Sequence, residues 1–300
     1  MKDIKIKFKL APSDAIPASR ASQLARRPLR VTRKLTLTEA ATSALREMFD
    51  QFTAHLTLLR TSDDPEVVHQ ARVVWRRFKS TVRLFKPVLN ADTRPSWQPL
   101  QGLLTLLGEL RELDVASTET LPALEHAFTA GNARRAGHWQ AMTQALDEAQ
   151  ASKRQVVRQA LLEPAVGDAF RDITQWLEGN SAVNAPSAKT AGQQIAPHRW
   201  ARRRLARLRE QLKLALKAPA NTESQHQTRI AAKRQRYAIE TLRPLLPKRR
   251  AKRWYKQAVT LQNSLGAQRD VVRAGELVGQ LQADRGLVEF LRGVAVGQSE

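Results

Sequence analysis

The chain has no cysteine, which excludes a disulfide framework, a cysteine-ligated zinc site and a thiol nucleophile. Aromatic residues make up only 5% of it, so stacking platforms for single-stranded nucleic acid are poorly supplied. No apolar run approaches the ~20 residues that span a bilayer, and the lysine-bearing N-terminus lacks the apolar region of a secretory signal. The simplest expectation is a soluble cytoplasmic protein with no membrane partner. Negative charge is also scarce: 28 Asp and Glu face 50 Lys and Arg, a net charge of +22 over 300 residues. The excess is uneven. Residues 191–300 hold 23 basic against 8 acidic residues, and residues 1–190 hold 27 against 20. A field of this size concentrates polyanions at the surface and is weakened by salt. Nucleic acid, an anionic membrane and inorganic polyphosphate all fit the charge alone.

A histidine-led basic segment occurs twice, 157 residues apart. The first copy runs His69-Gln-Ala-Arg72 through Arg76-Arg77-Phe-Lys79-Ser80, the second His226-Gln-Thr-Arg229 through Lys233-Arg234-Gln-Arg236-Tyr237. The register extends to Lys86-Pro87 with Arg243-Pro244 and to Trp97 with Trp254. One residue out of step, Leu107-Gly108 and Arg111-Glu112 match Leu265-Gly266 and Arg269-Asp270. The period is too long for a solenoid and points to two homologous helical halves.

At about 100° per residue, His69, Arg72, Arg76, Lys79, Ser80 and Arg83 fall within an arc of roughly 100°. Ala71, Trp75, Phe78, Val82 and Phe85 form a separate, core-facing arc. The second copy places His226, Arg229, Lys233, Arg236 and Tyr237 alike, with Glu240 where the first has Arg83. Between His69 and Lys86 there is no carboxylate. Exposed helix faces normally mix signs, because like charges one turn apart cost a few tenths of a kcal/mol per pair. Repeating that cost twice points to a bound anion. Arginine's planar fork can give two hydrogen bonds to one phosphate, lysine adds adaptable charge, and a crowded anion favours charged histidine.

Most of the chain has helical periodicity. Segments are expected from Thr38 to about Leu59, from an Asp63-Asp64-Pro65-Glu66 cap to Pro87, from Pro95 past Arg111, over about 119–129, and over 137–162 and 168–178. In the second half a helix with Ala201, Leu205, Leu208 and Leu212 inward carries Arg202 and Arg209 on its flank. The His226 helix ends at Pro244, and Lys248–Gly279 is expected as one long last helix with Arg250 and Arg253 beside its apolar stripe. Trp97 and Trp254 are expected in the core, and Gly108 and Gly266 to permit close helix approach. Lys2–Leu10 alternates like a strand. Neither motif histidine suits a metal site, for want of a second ligand one turn away. His55, His126, His138 and His198 are expected at the surface.

These motifs resemble the CHAD family, the conserved-histidine α-helical domain that binds inorganic polyphosphate. The similarity spans about residues 36–292. It implies an all-α fold of two pseudo-symmetric four-helix bundles with a basic channel between them. By resemblance the ligand would meet His69, Arg72, Arg76, Lys79 and Arg111 in one half and His226, Arg229, Lys233, Arg236 and Arg269 in the other. The helical wheels add Arg83, Arg202, Arg209, Tyr237, Arg250 and Arg253. The organisation expected is an extension over 1–35, first half 36–178, linker 179–195, second half 196–292 and tail 293–300. Asp3-Ile-Lys5-Ile-Lys7 is similar to a degraded form of the Glu-x-Glu-x-Lys strand of triphosphate-tunnel domains that often precede this fold, and a lysine there cannot hold a metal. The function expected is polyphosphate binding without catalysis, metal or cofactor, at polyphosphate granules. A nucleic-acid-binding protein and a polyphosphate-processing enzyme are the rival readings.

Overall fold

A computed structural model describes residues 36–89, 94–182, 196–219, 221–264 and 267–297, with side chains at all of these but 181–182, 222, 225, 262–264, 267–270 and 296–297. The strand-like Lys2–Leu10, most of the expected linker, and Leu265-Gly266 lie outside the described residues, as do the side chains of Arg269 and Asp270.

Among the described residues there is no strand, and the chain is all-α. Helix α1 (Leu37–Leu59) starts at a capping box, in which Thr36 accepts from the Glu39 amide and Glu39 Oε2 accepts from the Thr36 amide at 2.7 Å. Helix α2 (Pro65–Phe85) is the His69 helix. Asp64 caps it, accepting from the Glu66 amide at 2.8 Å, and Pro65 occupies the first turn, where a missing N–H costs nothing. A 3-10 turn over Gln98–Leu100 leads into α3 (Gln101–Val115), which carries Gly108 and Arg111. A π-helical turn, Ala116–Thr120, extends α3. The fourth helix expected over 119–129 is therefore confined to α4 (Glu125–Thr129). Helices α5 (Ala133–Ala160) and α6 (Pro164–Ala182) complete the first half.

Helix α7 (Pro197–Lys217) leads to α8 (Thr222–Leu242), the His226 helix, which ends in a 3-10 turn at Arg243–Leu245 around Pro244. The helix expected next is described in two stretches, α9 (Lys248–Ser264) and α10 (Ala267–Gln280), with residues 265–266 between them outside the described residues. The chain then turns at Gln282, which has φ of +56°, into α11 (Arg285–Gly297), whose own periodicity went unread and which runs into the expected tail.

The inner face of α2 buries Val68, Ala71, Val74, Trp75, Phe78, Val82 and Phe85. This is the arc expected from the wheel, and the scarce aromatics gather beneath it. Trp75 stacks on Phe78, while Trp97 meets Trp75, Phe78 and Trp176 edge-on at 5.8–6.2 Å. The core does not stop at the boundary between halves: Ala201, Leu205, Ile239, Leu242 and Ala258 join it. Helix α2 packs directly on α8, and α8 is flanked by α7 and α9. A second cluster joins the far end of α3, α4 and the start of α5 to the α10–α11 hairpin, through Leu113, Phe128, Trp139, Val278 and Leu287.

Candidate polyanion site

The outer face of α2 presents the expected stripe, with His69 and Arg72 half-buried and Arg76, Lys79 and Arg83 exposed. Arg72 leans onto α3. A Cβ added to Gly108 would lie 2.9 Å from Arg72 Nη1, so the missing side chain is the space in which that guanidinium rests. Gly108 was expected to permit close helix approach, and what approaches it is the Arg72 side chain of α2.

These cations crowd one another. Burial, then Arg76 and Arg111, push the Arg72 pKa down, against the pull of Glu112. Loss of solvent, then Arg83, Arg72 and Arg76, lower Lys79. Burial, Arg111 and Arg76 lower His69, while Glu66 and Glu119 act the other way. Arg111 therefore joins the α2 stripe from α3. Glu66, one turn before His69, also stands close enough to act on the ring, so the carboxylate-free surroundings begin at His69 and not before it.

Glu66 accepts from the Gln70 side-chain amide, and the other acids here are engaged by arginines. Glu119 takes a 2.6 Å hydrogen bond from Arg111 Nη2. Glu112 receives Arg273 Nη2 at 2.7 Å and Nε at 2.9 Å, and Arg273 also reaches Glu276 at 2.6 Å. Glu112 thus holds an arginine that lies outside the repeated motifs. Its signal was present: Arg273 follows Arg269 by one helical turn. Deeper, Asp114 is fully buried, receiving Arg154 Nη2 at 3.3 Å and the Gln150 amide, and desolvation raises its pKa. Arg158 ties the same wall to Asp63 at 2.8 Å and to the Leu59 carbonyl at 3.1 Å.

On α8, His226 is exposed, and Arg229, Lys233 and Arg236 are half-buried. Tyr237 departs from the expectation of an open donor on the stripe. It is 5% exposed, because its position turns toward the Ala238–Ile239 core, and its ring lies 4.9 Å beneath the Arg236 guanidinium. Two contacts join α2 to α8: the buried Thr81 and Thr241 hydroxyls at 3.2 Å, and Arg77 Nε with Glu240 at 3.4 Å. Glu240 also draws Arg236 to 3.6 Å. The acid that breaks the second stripe thus binds the two helices to each other. Arg77, part of the motif but not among the expected ligands, is a tie between halves.

Arg202, Arg250 and Arg253 are exposed on the helices flanking α8. Arg209 is half-buried, its guanidinium 4.7 Å from the Trp254 ring, so it couples α7 to α9. Trp97 and Trp254 are half-buried at the edge of the core. His126 and His198 are exposed as expected. His55 is not: it is fully buried in α1 with neither ring nitrogen hydrogen-bonded, since its position falls on that helix's inward face. His138 is half-buried, 3.3 Å from Asp284.

The model of the CHAD domain matches residues 43–279. The chain belongs to the CHAD family. A crystal structure of the CHAD domain from the plant Ricinus communis superposes with a TM-score of 0.75 at 25% identity, covering 91% of this chain and 89% of that one. PptA from Streptomyces chartreusis is matched at a TM-score of 0.49 and 17% identity over 88% of this chain and 94% of its own, a likeness too slight to bear on the site. No curated protein matches the chain. The CHAD match takes in both His-led helices, α2 and α8, and the α3 segment with Gly108 and Arg111.

Proposed function

We propose that this CHAD protein binds inorganic polyphosphate along the cationic faces of α2 and α8 without acting on it chemically, in the cytoplasm and at polyphosphate granules. The observation that carries the reading is the mutual repulsion of Arg72, Arg76, Lys79 and Arg111, half-buried or close enough that burial and neighbouring cations depress Arg72 and Lys79. Such a cluster is destabilising by itself, and a ligand with about one negative charge per phosphate offsets it at many points. The packing of α2 on α8 supports a reading in which one flexible chain meets both stripes.

The rivals are weaker. Trp75 and Phe78 of α2 are buried beneath its cationic stripe and so are not open to a base there. Phosphoryl transfer needs free carboxylates, a phosphate loop or an activated nucleophile, and the acids beside this cluster are engaged: Glu112 by Arg273, Glu119 by Arg111, Asp114 by Arg154, and Glu66 by the Gln70 side-chain amide. Competition between long-chain polyphosphate and duplex DNA at matched phosphate concentration tests the ligand. Preference for polyphosphate is expected, and equal competition would favour nucleic acid. Phosphate release in magnesium or manganese, abolished by His69→Ala, would overturn the non-catalytic reading.

A further inference from the structure

A cavity of about 390 Å³ lies in the second apolar cluster, between the α4–α5 turn and the start of α11. It involves none of the stripe residues. Ala130 and Gly131 turn the chain sharply there, both in the left-handed region with φ of +42° and +75°. That reversal brings the first turns of α5 over α4.

The lining is of two kinds. The Phe290 ring, half-buried, stands 5.4 Å from the buried Phe128 ring and offers an aromatic wall. Opposite it are two exposed arginines. The Arg135 guanidinium lies over Phe128 at 5.8 Å and is anchored by Nη1 donating to the Phe128 carbonyl at 3.4 Å. That leaves its other N–H groups available, and Arg134 beside it is exposed. The carboxylate in the lining, Asp284, is already engaged: its Oδ1 accepts from the Gly286 and Leu287 amides and faces His138 Nδ1. The lining therefore sets two guanidiniums against one carboxylate, an excess of positive charge. The helix starts add little, since Asn132 and Asp284 cap them.

We propose that this cavity is a second binding site, for a small aromatic phosphate of nucleoside monophosphate size. The volume lies within the ~300–1,000 Å³ typical of small-molecule pockets. A planar base can stack on Phe290, with the Arg134 and Arg135 guanidiniums in the same lining to meet its phosphate. Two guanidiniums suit a dianionic phosphate better than a single carboxylate. A polyphosphate chain, with no ring, gains nothing from the aromatic wall, so the two ligands bind independently.

Titration calorimetry on the full chain with AMP, adenosine and inorganic phosphate, each with and without saturating long-chain polyphosphate, tests this. AMP is expected to bind in both conditions, with adenosine and phosphate at least tenfold weaker. Arg134→Ala, at an exposed position where folding is undisturbed, and Arg135→Ala are each expected to weaken AMP severalfold. Phe290→Ala removes the stacking face, with circular dichroism as the check on its fold. No AMP binding, phosphate or adenosine binding as tightly as AMP, displacement of AMP by polyphosphate, or full affinity in Arg134→Ala would each overturn the proposal.

Discussion

The guanidinium of Arg72 rests on Gly108: a methyl group at that glycine would sit 2.9 Å from Arg72 Nη1. The atom in the way is the far end of a flexible side chain, so Gly108→Ala displaces the arginine without breaking the helix pair. Alanine also favours the helix over glycine by up to ~1 kcal/mol. The two effects have opposite signs. Thermal stability of Gly108→Ala is expected to hold or rise while polyphosphate affinity falls about threefold to tenfold, the loss of about one charge-assisted contact. A parallel fall in both would mean that the glycine serves packing alone.

Glu240 links the halves through Arg77 and thins the cationic stripe. Glu240→Gln leaves Arg77 and Arg236 near each other without their shared carboxylate. The pair is partly buried, so a stability loss of about 1–2 kcal/mol is expected, between exposed and fully buried ion pairs. Polyphosphate affinity should rise in the same variant. Chemical denaturation and a binding titration check the two halves of the prediction.

His69 has its pKa held below the ordinary histidine value by burial, Arg111 and Arg76. The ring is therefore neutral in the free protein at pH 7. A bound polyanion raises its pKa, so binding takes up a proton, and affinity strengthens as pH falls from the bound-state value towards the free-state value. Calorimetry in buffers of different ionisation heat should show proton uptake on binding, and His69→Gln should reduce it.

His55 gives the corresponding effect on folding. Burial lowers its pKa below the model-peptide 6.5, and neither ring nitrogen has a hydrogen bond. The unfolded chain thus takes its proton first as pH falls. Stability is unaffected well above pH 6.5, declines as pH drops below it, and stops declining from this source once the folded state is also protonated. His55→Leu should flatten urea midpoints between pH 7 and 5. An unchanged slope would place the pH dependence elsewhere.

The duplicated stripe was legible because it depends only on residue spacing. His69, Arg72, Arg76, Lys79 and Arg83 keep one face of α2, and Trp75, Phe78 and Phe85 the other. The caps of α1 and α2 were nearly as plain, since Thr36, Glu39, Asp64 and Pro65 act within one turn. What escaped were relations between distant segments. The contact of Arg72 with Gly108, Arg77 with Glu240, and Glu112 with Arg273 have no periodicity to announce them. His55 shows the same limit. Its composition class says surface, its position on α1 says core, and position prevails. Tyr237 borders the stripe but is buried like its neighbours Ala238 and Ile239.

The central claim is that the stripes on α2 and α8 act as one polyphosphate track. Its most direct measurement is a titration with polyphosphate of defined length at two salt concentrations, for the wild type and Arg72→Ala/Arg229→Ala. The account predicts tight binding that weakens steeply with salt, a shallower salt slope in the variant, and a loss of at least tenfold with the fold intact. Unchanged affinity and slope in the variant would contradict it, leaving the stripes as general basic surface.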